Sequence, residues 1–269
     1  MKKIRKAVIP AAGFGTRFLP ITKIIPKELL PIGNKPAIQY VVQECVEAGL
    51  EEIILVCHPD KTSIADYFTP NKSLHTFLKS RGKFQESQEL KQIESLANFK
   101  VVYQKEPLGL GHAIGCARKA IGDEPFVVLL PDMILPPEQT GLTEMVQLFQ
   151  KTGSWGLLLM PVSKEKTSSY GIVKGQKDKK GIFWIQSAVE KPQPQDAPSN
   201  LAILGRYLFP PEIFEYIQRS EKGALGEIQV TDAINSLLKK KRGWGIVRKG
   251  GIFDVGVPAG LRHASSILL

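Results

Sequence analysis

Apolar residues in this chain fall into short unbroken runs separated by tracts of helical period. The first run is Lys6-Ala7-Val8-Ile9-Pro10-Ala11-Ala12, which leads into a glycine-containing loop. From Lys35 to Ala48 the apolar positions Ile38, Val41, Val42, Cys45 and Val46 recur at the spacing of one helix face, and Gly49 stands where a helix takes its cap. The second run is Glu52-Ile53-Ile54-Leu55-Val56-Cys57. Such near-continuous runs suit strands covered on both faces, so strand, crossover helix and strand predict a βαβ unit.

A polar tract of helical character follows from Ser63 to Leu96, then a strand from Lys100 to Tyr103 and a helix from Gly111 to Ala120. The apolar strand Phe126 to Leu130 closes on Pro131-Asp132. Beyond Gln150, strands are expected over 155–161, 171–174, 181–191 and 201–208, and helices over 211–218 and 229–240. No linker, repeat or low-complexity block breaks the pattern. The expected fold class is α/β, a Rossmann-like mixed, mainly parallel sheet flanked by helices, in a single domain spanning residues 1–269.

Composition narrows this picture. A chain of 269 residues with 43% hydrophobic content has ample material for a core. No apolar run approaches the ~20 residues that cross a bilayer, and the apolar stretch after the basic start Met1 to Lys6 is too short for a signal peptide, so a cytoplasmic protein without membrane contact is expected. Cys45, Cys57 and Cys116 are odd in number and lack CxxC spacing, which argues against disulfides or zinc. The net charge of +10 would suit a polyanion, but much of it sits in Lys174–Lys180 and Lys239–Arg242. Basic residues are not interleaved with aromatics on one element, so nucleic acid is not expected as a partner.

Candidate chemistry begins in the loop Ala11-Ala12-Gly13-Phe14-Gly15-Thr16-Arg17. Two glycines after a strand let backbone N–H groups approach phosphate oxygens that a Cβ would block. No Gly-Lys-Ser/Thr follows, and Phe18 stands where the dinucleotide fingerprint has its third glycine. Arg17 adds a fixed bidentate cation, which suits a triphosphate better than a dinucleotide. The segment Pro20 to Pro31 is punctuated by prolines, cannot be one regular helix, and carries Lys23 and Lys27 close to the loop.

Taken with that loop, Pro26-Lys27-Glu28-Leu29-Leu30-Pro31-Ile32 and Lys35-Pro36-Ala37-Ile38-Gln39-Tyr40 resemble the signature of sugar nucleotidyltransferases, closest to the uridylyltransferase branch. Further blocks fall in the same order: Gln104 to Ala113, Leu130-Pro131-Asp132, Val189-Glu190-Lys191-Pro192, Gly205-Arg206-Tyr207, Gly226 to Ala233 and Phe253 to Gly256. The resemblance implies the nucleotide-diphospho-sugar transferase type of fold, with 1–135 as the nucleotide-binding half and 136–269 as the sugar-phosphate-binding half. It implies Mg²⁺-dependent in-line displacement, in which a phosphate oxygen of glucose 1-phosphate attacks the α-phosphorus of UTP and yields UDP-glucose and pyrophosphate. It also implies a homo-oligomer. Relatives often continue with another helix where this chain has only a short tail after Gly260, which puts the oligomeric state in doubt.

Two polyanions must meet against their own repulsion, so this chemistry asks for cations on both and a carboxylate pair for the metal. Asp132, at the carboxyl end of a buried strand, and Asp254, a lone carboxylate in an apolar strand, are the candidate Mg²⁺ ligands; either could instead serve a turn or a fold contact. Arg17 and Lys27 would neutralise the β- and γ-phosphates, and Ala12, Gly13, Gly15 and Thr16 would line the nucleotide. Gln104 can match the imide edge of uracil, with backbone near Ala12 and Gly109 completing base recognition. Lys191 would take the phosphate of glucose 1-phosphate and Glu190 the sugar hydroxyls. Neighbours on a strand point to opposite faces, so the pair works only if the strand ends or bulges before Pro192. Gly171 and Gly205 resemble places where backbone meets the sugar. His112 is not needed as a base, because a phosphate nucleophile is already ionised; a helix-start or packing role fits it better.

Two alternatives bound this reading. A thymidylyltransferase acting on the same sugar phosphate differs by one methyl group in its pocket, and such relatives usually carry Gln at the position of Glu28. A non-catalytic sugar-nucleotide sensor would be expected to lack a ligand or a lysine, whereas Arg17, Lys27, Asp132, Lys191 and Asp254 are all present.

Overall fold

The computed structural model describes residues 3–136, 141–221, 223 and 226–268. Strand β1 (Lys6–Ala11) is followed by three single 3₁₀ turns over residues 16–29, the small ribbon β2 (Pro31–Ile32) and β3 (Lys35–Pro36), and helix α1 (Ala37–Glu47). Gly49 caps α1 with φ +80°: its N–H bonds Val46 O at 2.9 Å and the Leu50 N–H bonds Cys45 O at 3.0 Å, the paired bonds of a Schellman end. Next come β4 (Glu52–Cys57), α2 (Ser63–Asp66), α3 (Lys72–Ser80), α4 (Phe84–Glu94) and β5 (Asn98–Tyr103). The single polar helical tract expected over 63–96 is thus three helices, broken after Pro70 and at Gly82, which has φ +71°.

The chain continues through α5 (Leu110–Cys116), α6 (Arg118–Ile121), β6 (Phe126–Leu129), β7 (Met133–Ile134), α7 (Leu142–Thr152) and β8 (Trp155–Pro161). Strands β9 (Gly171–Lys177), β10 (Phe183–Glu190) and β11 (Leu201–Phe209) lead to α8 (Ile213–Arg219), α9 (Val230–Leu238), β12 (Gly243–Val247), β13 (Phe253–Asp254) and α10 (Pro258–Ile267). The short tail after Gly260 is itself part of a helix, α10, packed on β2 and β13. Among the described residues no helix is long and apolar enough to cross a membrane.

The main sheet has the order β5-β4-β1-β6-β11-β8-β12-β10-β9. Its first four strands are parallel, joined by helical crossovers, and Ala7, Ile9 and Ile53 pack on one face while Val8, Ile54 and Val128 pack on the other. That double burial is why β1, β4 and β6 read as near-continuous apolar runs, whereas the edge strand β5 is mostly exposed. Beyond β6 only β8 and β12 are parallel neighbours; the pairings β6–β11, β11–β8, β12–β10, β10–β9 and β9–β11 are antiparallel. The sheet is mixed as expected, but "mainly parallel" describes only its N-terminal half. Connections such as the turn between β9 and β10, held by Asp178 Oδ1 accepting from the N–H groups of Lys180 and Ile182, are too short for a crossover and return the chain antiparallel.

Strand order decides where a ligand can sit. The chain runs outward from β1 through β4 to β5, then returns to place β6 on the other side of β1. The loops leaving β1 and β6 therefore diverge and open a crevice at the carboxyl ends of the strands, the usual binding place of an open α/β sheet.

Candidate active site

The loop after β1 lines one wall of that crevice. Ala12 and Gly13 border a cleft of about 290 Å³ together with Lys27, Glu28, Gln104, Gly109 and Asp132. Gly15 takes the left-handed conformation, φ +66°, and starts the 3₁₀ turn Thr16–Phe18; a Cβ there would lie 3.1 Å from Lys27 Cβ and 3.2 Å from Thr22 Cγ2. The Thr22 hydroxyl donates to Gly15 O at 2.8 Å, so the glycine loop and the proline-punctuated segment form one unit. Lys61, on the turn after β4, is buried beneath the loop. Its ammonium donates to Gly13 O, lies 3.5 Å from Ala11 O, and meets Glu28 Oε2 at 3.1 Å.

Lys27 opens the last 3₁₀ turn of the proline-punctuated segment, with its ammonium on the Asp132 carboxylate. Burial alone would lower its pKa, but the charges of Asp132 and Glu28 and the hydrogen bond to Asp132 outweigh it, and the net shift is upward. Lys27 is therefore held as a cation. Asp132 follows β6, and Arg206, fully buried in β11, clamps that turn: its guanidinium donates to Met133 O at 2.8 Å and to Leu130 O at 3.4 Å, while Glu44 of α1 takes two of its nitrogens.

Asp254 reaches the same place from the far end of the chain. Strand β13 pairs antiparallel with β7, setting Asp254 opposite Met133, and the Val255 N–H bonds Asp132 O at 2.8 Å. A Cβ on Gly256 would lie 3.0 Å from Asp132 Oδ2 and 3.1 Å from Asp254 Oδ1, so both carboxylates converge on one glycine. The Asp254 pKa is raised, first by burial; the Gly256 N–H opposes this, the Asp132 charge adds to it, and Arg17 and Lys27 pull it back. Arg17 is solvent-exposed at the rim, close enough for its charge to be felt by both Lys27 and Asp254.

Two carboxylates facing each other beside two cations offer only hard oxygen donors, which suits Mg²⁺ completed by substrate oxygens. Among the described residues there is no cluster of three or more metal-binding side chains, so the protein alone offers this pair.

On the other side of β11 lie Glu190 and Lys191. Strand β10 ends at Glu190, and Lys191 takes φ +42°, a left-handed conformation unusual for a side chain of this kind. The alternation of faces is broken there: the Lys191 ammonium lies 4.0 Å from Glu190 Oε1, and its N–H bonds Tyr170 O at 3.0 Å. Glu190 has a raised pKa, chiefly through burial, with Lys191 and the Thr231 hydroxyl opposing. Gly171 borders this carboxylate, since a Cβ there would stand 3.3 Å from Glu190 Oε2. Gly205 behaves differently. It takes φ +63° where the β11–β8 register shifts, and a Cβ would strike Met133 Sδ at 2.7 Å, so packing against the Asp132 turn accounts for it. The two groups meet over buried Tyr207, whose phenol feels both Glu190 and Asp132.

Residues 6–269 match the model of the family described as nucleotidyl transferase. The chain belongs to the nucleotidyl transferase family. Within it, the sequence is 47% identical over 260 residues to a UTP–glucose-1-phosphate uridylyltransferase of Bacillus subtilis strain 168, covering 97% of this chain and 89% of that protein. The fold superposes with a TM-score of 0.89 on UTP-bound UGPase from Acinetobacter baumannii, at 39% identity and covering 98% of this chain and 92% of the other. A UDP-glucose pyrophosphorylase complexed with UDP-glucose gives the same TM-score at 40% identity, covering 98% of both chains. These nucleotidyl transferases match the present chain across both halves of the cleft.

Sequence reasoning passed over several residues of this site. Lys61 lies in an ordinary polar turn, and only its burial marks it. Glu28 served as a subgroup marker, yet it is 2% exposed in the cleft wall, with Oε1 lacking a partner among the described residues. Arg206, in the Gly205-Arg206-Tyr207 block, is structural: it is fully buried on Glu44 and Met133 O. His112 touches Gln104 rather than forming part of the cleft wall.

Proposed function

We infer that this protein transfers the uridylyl group of UTP to glucose 1-phosphate, releasing UDP-glucose and pyrophosphate. The observation that carries the reading is the meeting of Lys27, Asp132 and Asp254 at the crevice beside β1 and β6, with Glu190 and Lys191 across β11. One cluster suits a triphosphate and the other a sugar phosphate. Residues 1–135 supply most of the nucleotide wall and 136–269 the acceptor side, with Asp254 crossing back.

The loop Ala12, Gly13, Gly15, Thr16 would receive the triphosphate, with Arg17 and Lys27 over the β- and γ-phosphates. Gln104 and backbone at Gly109 would face the base. Glu190 would accept hydrogen bonds from glucose hydroxyls beside Gly171, and Lys191 would hold the sugar phosphate. An oxygen of that phosphate forms a bond to the α-phosphorus as the bond from the α-phosphorus to the bridging oxygen breaks, and the electron pair leaves with pyrophosphate. Asp132 and Asp254 would hold Mg²⁺, which would supply neutralisation of phosphate charge when bound. Lys27 is the counter-charge of Asp132 in the free protein. Beside the triphosphate, the Lys27 ammonium would pair with the departing pyrophosphate and stabilise its developing charge. No general base is required.

Pyrophosphate release measured with UTP, dTTP and GTP against glucose, galactose and mannose 1-phosphates tests this assignment. UTP with glucose 1-phosphate is expected to give the highest kcat/KM. Preference for dTTP would move the protein to thymidylyl transfer, and absence of turnover with any pair would overturn the enzymatic reading. Asp132→Ala is expected to abolish Mg²⁺-dependent turnover.

A further inference from the structure

Gln104 leaves the end of β5 with its backbone N–H on Cys57 O at 2.9 Å and its side chain 5% exposed in the cleft wall. Its Nε2 donates to Gly109 O at 3.2 Å and meets His112 Nδ1 at 2.9 Å. A carbonyl can only accept, so Gly109 O fixes which end of the amide is nitrogen. The second N–H then requires an unprotonated His112 Nδ1, which puts the imidazole proton on Nε2. Both donors of the amide are consumed inside the protein. Its carbonyl oxygen has no protein partner among the described residues, and it is the part of the amide left for a ligand.

The cleft is thereby offered an acceptor alone. Uracil presents an imide N3–H, which satisfies it. Cytosine presents a lone pair at the same ring position, so acceptor would oppose acceptor, a mismatch that leaves a buried polar group unpaired. Turning the amide over would set Gln104 Oε1 against Gly109 O and an N–H₂ against cytosine, and His112 would keep its bond only by moving its proton from Nε2 to Nδ1. His112 is outside the cleft lining; it borders a separate groove with Cys116, Arg118 and Gln218, and among the described residues its side-chain hydrogen bond to the cleft wall is the one to Gln104.

We propose that His112 is a positioning residue that, with Gly109 O, locks the Gln104 amide as a hydrogen-bond acceptor and so makes the enzyme select pyrimidine nucleotides with an imide N3–H over cytidine nucleotides. The proposal rests on Gln104 facing the base, as argued above.

Steady-state kinetics of the full-length enzyme with UTP and CTP, each with glucose 1-phosphate, test it. His112→Phe keeps a ring without the acceptor, and His112→Ala removes the ring; both are expected to raise KM for UTP about five- to tenfold with kcat within about twofold, the loss of one hydrogen bond. The UTP-to-CTP ratio of kcat/KM should fall by a similar factor. His112→Asn, whose Oδ1 sits where Nδ1 did, should recover most of both. Unchanged KM and selectivity in a folded Phe or Ala variant overturns the proposal. So does a loss of kcat and melting temperature without a change in selectivity. Should neither variant fold, an Asn variant that folds yet loses selectivity also overturns it, since the acceptor is still there. Gln104→Ala separates the two readings. If it leaves the UTP-to-CTP ratio intact, the base-facing role of Gln104 fails; if it collapses the ratio while His112→Phe does not, only the role of His112 fails.

Discussion

At the scale of single residues, burial of charge sets what each group in the cleft can do. Lys27 is kept protonated by Asp132 and Glu28 despite its burial, so its contribution is a fixed cation at the phosphates. Lys27→Met is expected to lower kcat about a hundredfold or more, with little change in KM for glucose 1-phosphate, as measured by pyrophosphate release. Glu190 illustrates the opposite balance. Its pKa is raised, first by burial and then by Glu227 and Asp232, against Lys191 and Thr231. A carboxyl with a raised folded pKa binds more protons folded than unfolded, so stability falls as pH rises from its ordinary value near 4.5 through the folded pKa. Above that window the charge is a standing cost. Glu190→Gln should therefore melt slightly higher at pH 7, by about 1–2 °C, while kcat/KM for glucose 1-phosphate drops at least tenfold. A variant that melts lower, or that keeps its affinity for the sugar phosphate, would contradict the assignment of Glu190 as a ligand for sugar hydroxyls held in a costly setting.

At the scale of elements, the working parts are held by contacts between segments far apart in sequence. Arg206 joins β11, α1 and the Asp132 turn through Glu44, Leu130 O and Met133 O, with no exposure to solvent. Removing one partner of such a pair strands the other, so Arg206→Met should cost about 3–5 kcal/mol in urea unfolding, whereas Arg206→Met combined with Glu44→Met should cost less than the single change. The contrast between legible and illegible elements follows from the same fact. Strands β1, β4 and β6 announce themselves because both faces are buried and, past the charged first residues Lys6 and Glu52, every position is apolar. The βαβ unit and the glycine loop are readable for that reason. The ribbon of β7 and β13 is two residues long on each side and carries no period, yet it brings Asp132 to Asp254; only the resemblance of short blocks paired them beforehand. The left-handed turn at Lys191 was legible as a condition, since Pro192 demands a break, though not as a geometry. Helix α7, with Leu142, Met145 and Phe149 on its buried side, has the right spacing but begins beside a proline-rich stretch that masks its start. The blocks Gln104 to Ala113 and Gly226 to Ala233 are one structural unit. The Gly111 N–H bonds Ile228 O at 2.9 Å and the Ile228 N–H bonds Leu108 O at 2.8 Å, a pairing that spacing alone cannot reveal.

At the scale of the whole molecule, the sheet separates chemistry from anchorage. The cleft opens at the carboxyl ends of β1 and β6, whereas the amino ends are tied by a chain of charges: Lys100 to Glu52 at 2.9 Å, Glu52 to Lys6 at 3.9 Å, and Glu124 with Lys6 at 2.9 Å and Arg5 at 2.7 Å. Lys6 is buried and also donates to Ala120 O and Ile121 O at the end of α6. Hydrogen bonds from Arg5 and Lys6 draw the Glu124 pKa down from 4.5 to about 2. A depressed carboxylate stabilises the fold fully above the unfolded value and loses that contribution as pH falls through the folded one, so the window runs from about pH 4.5 down to about 2. Glu124 is partly open to solvent, and screening reduces the full linkage energy to roughly 1–2 kcal/mol. Glu124→Gln should therefore unfold in less urea than the parent at pH 7, and the gap should close as the acid limb is descended toward pH 2. Because this network lies at the edge of the sheet away from the cleft, kcat for uridylyl transfer at pH 7 and 25 °C should stay within about twofold. A large loss of kcat in a variant that is still folded would mean that the amino-end network and the cleft are coupled through β1, and that the separation of the two edges does not hold.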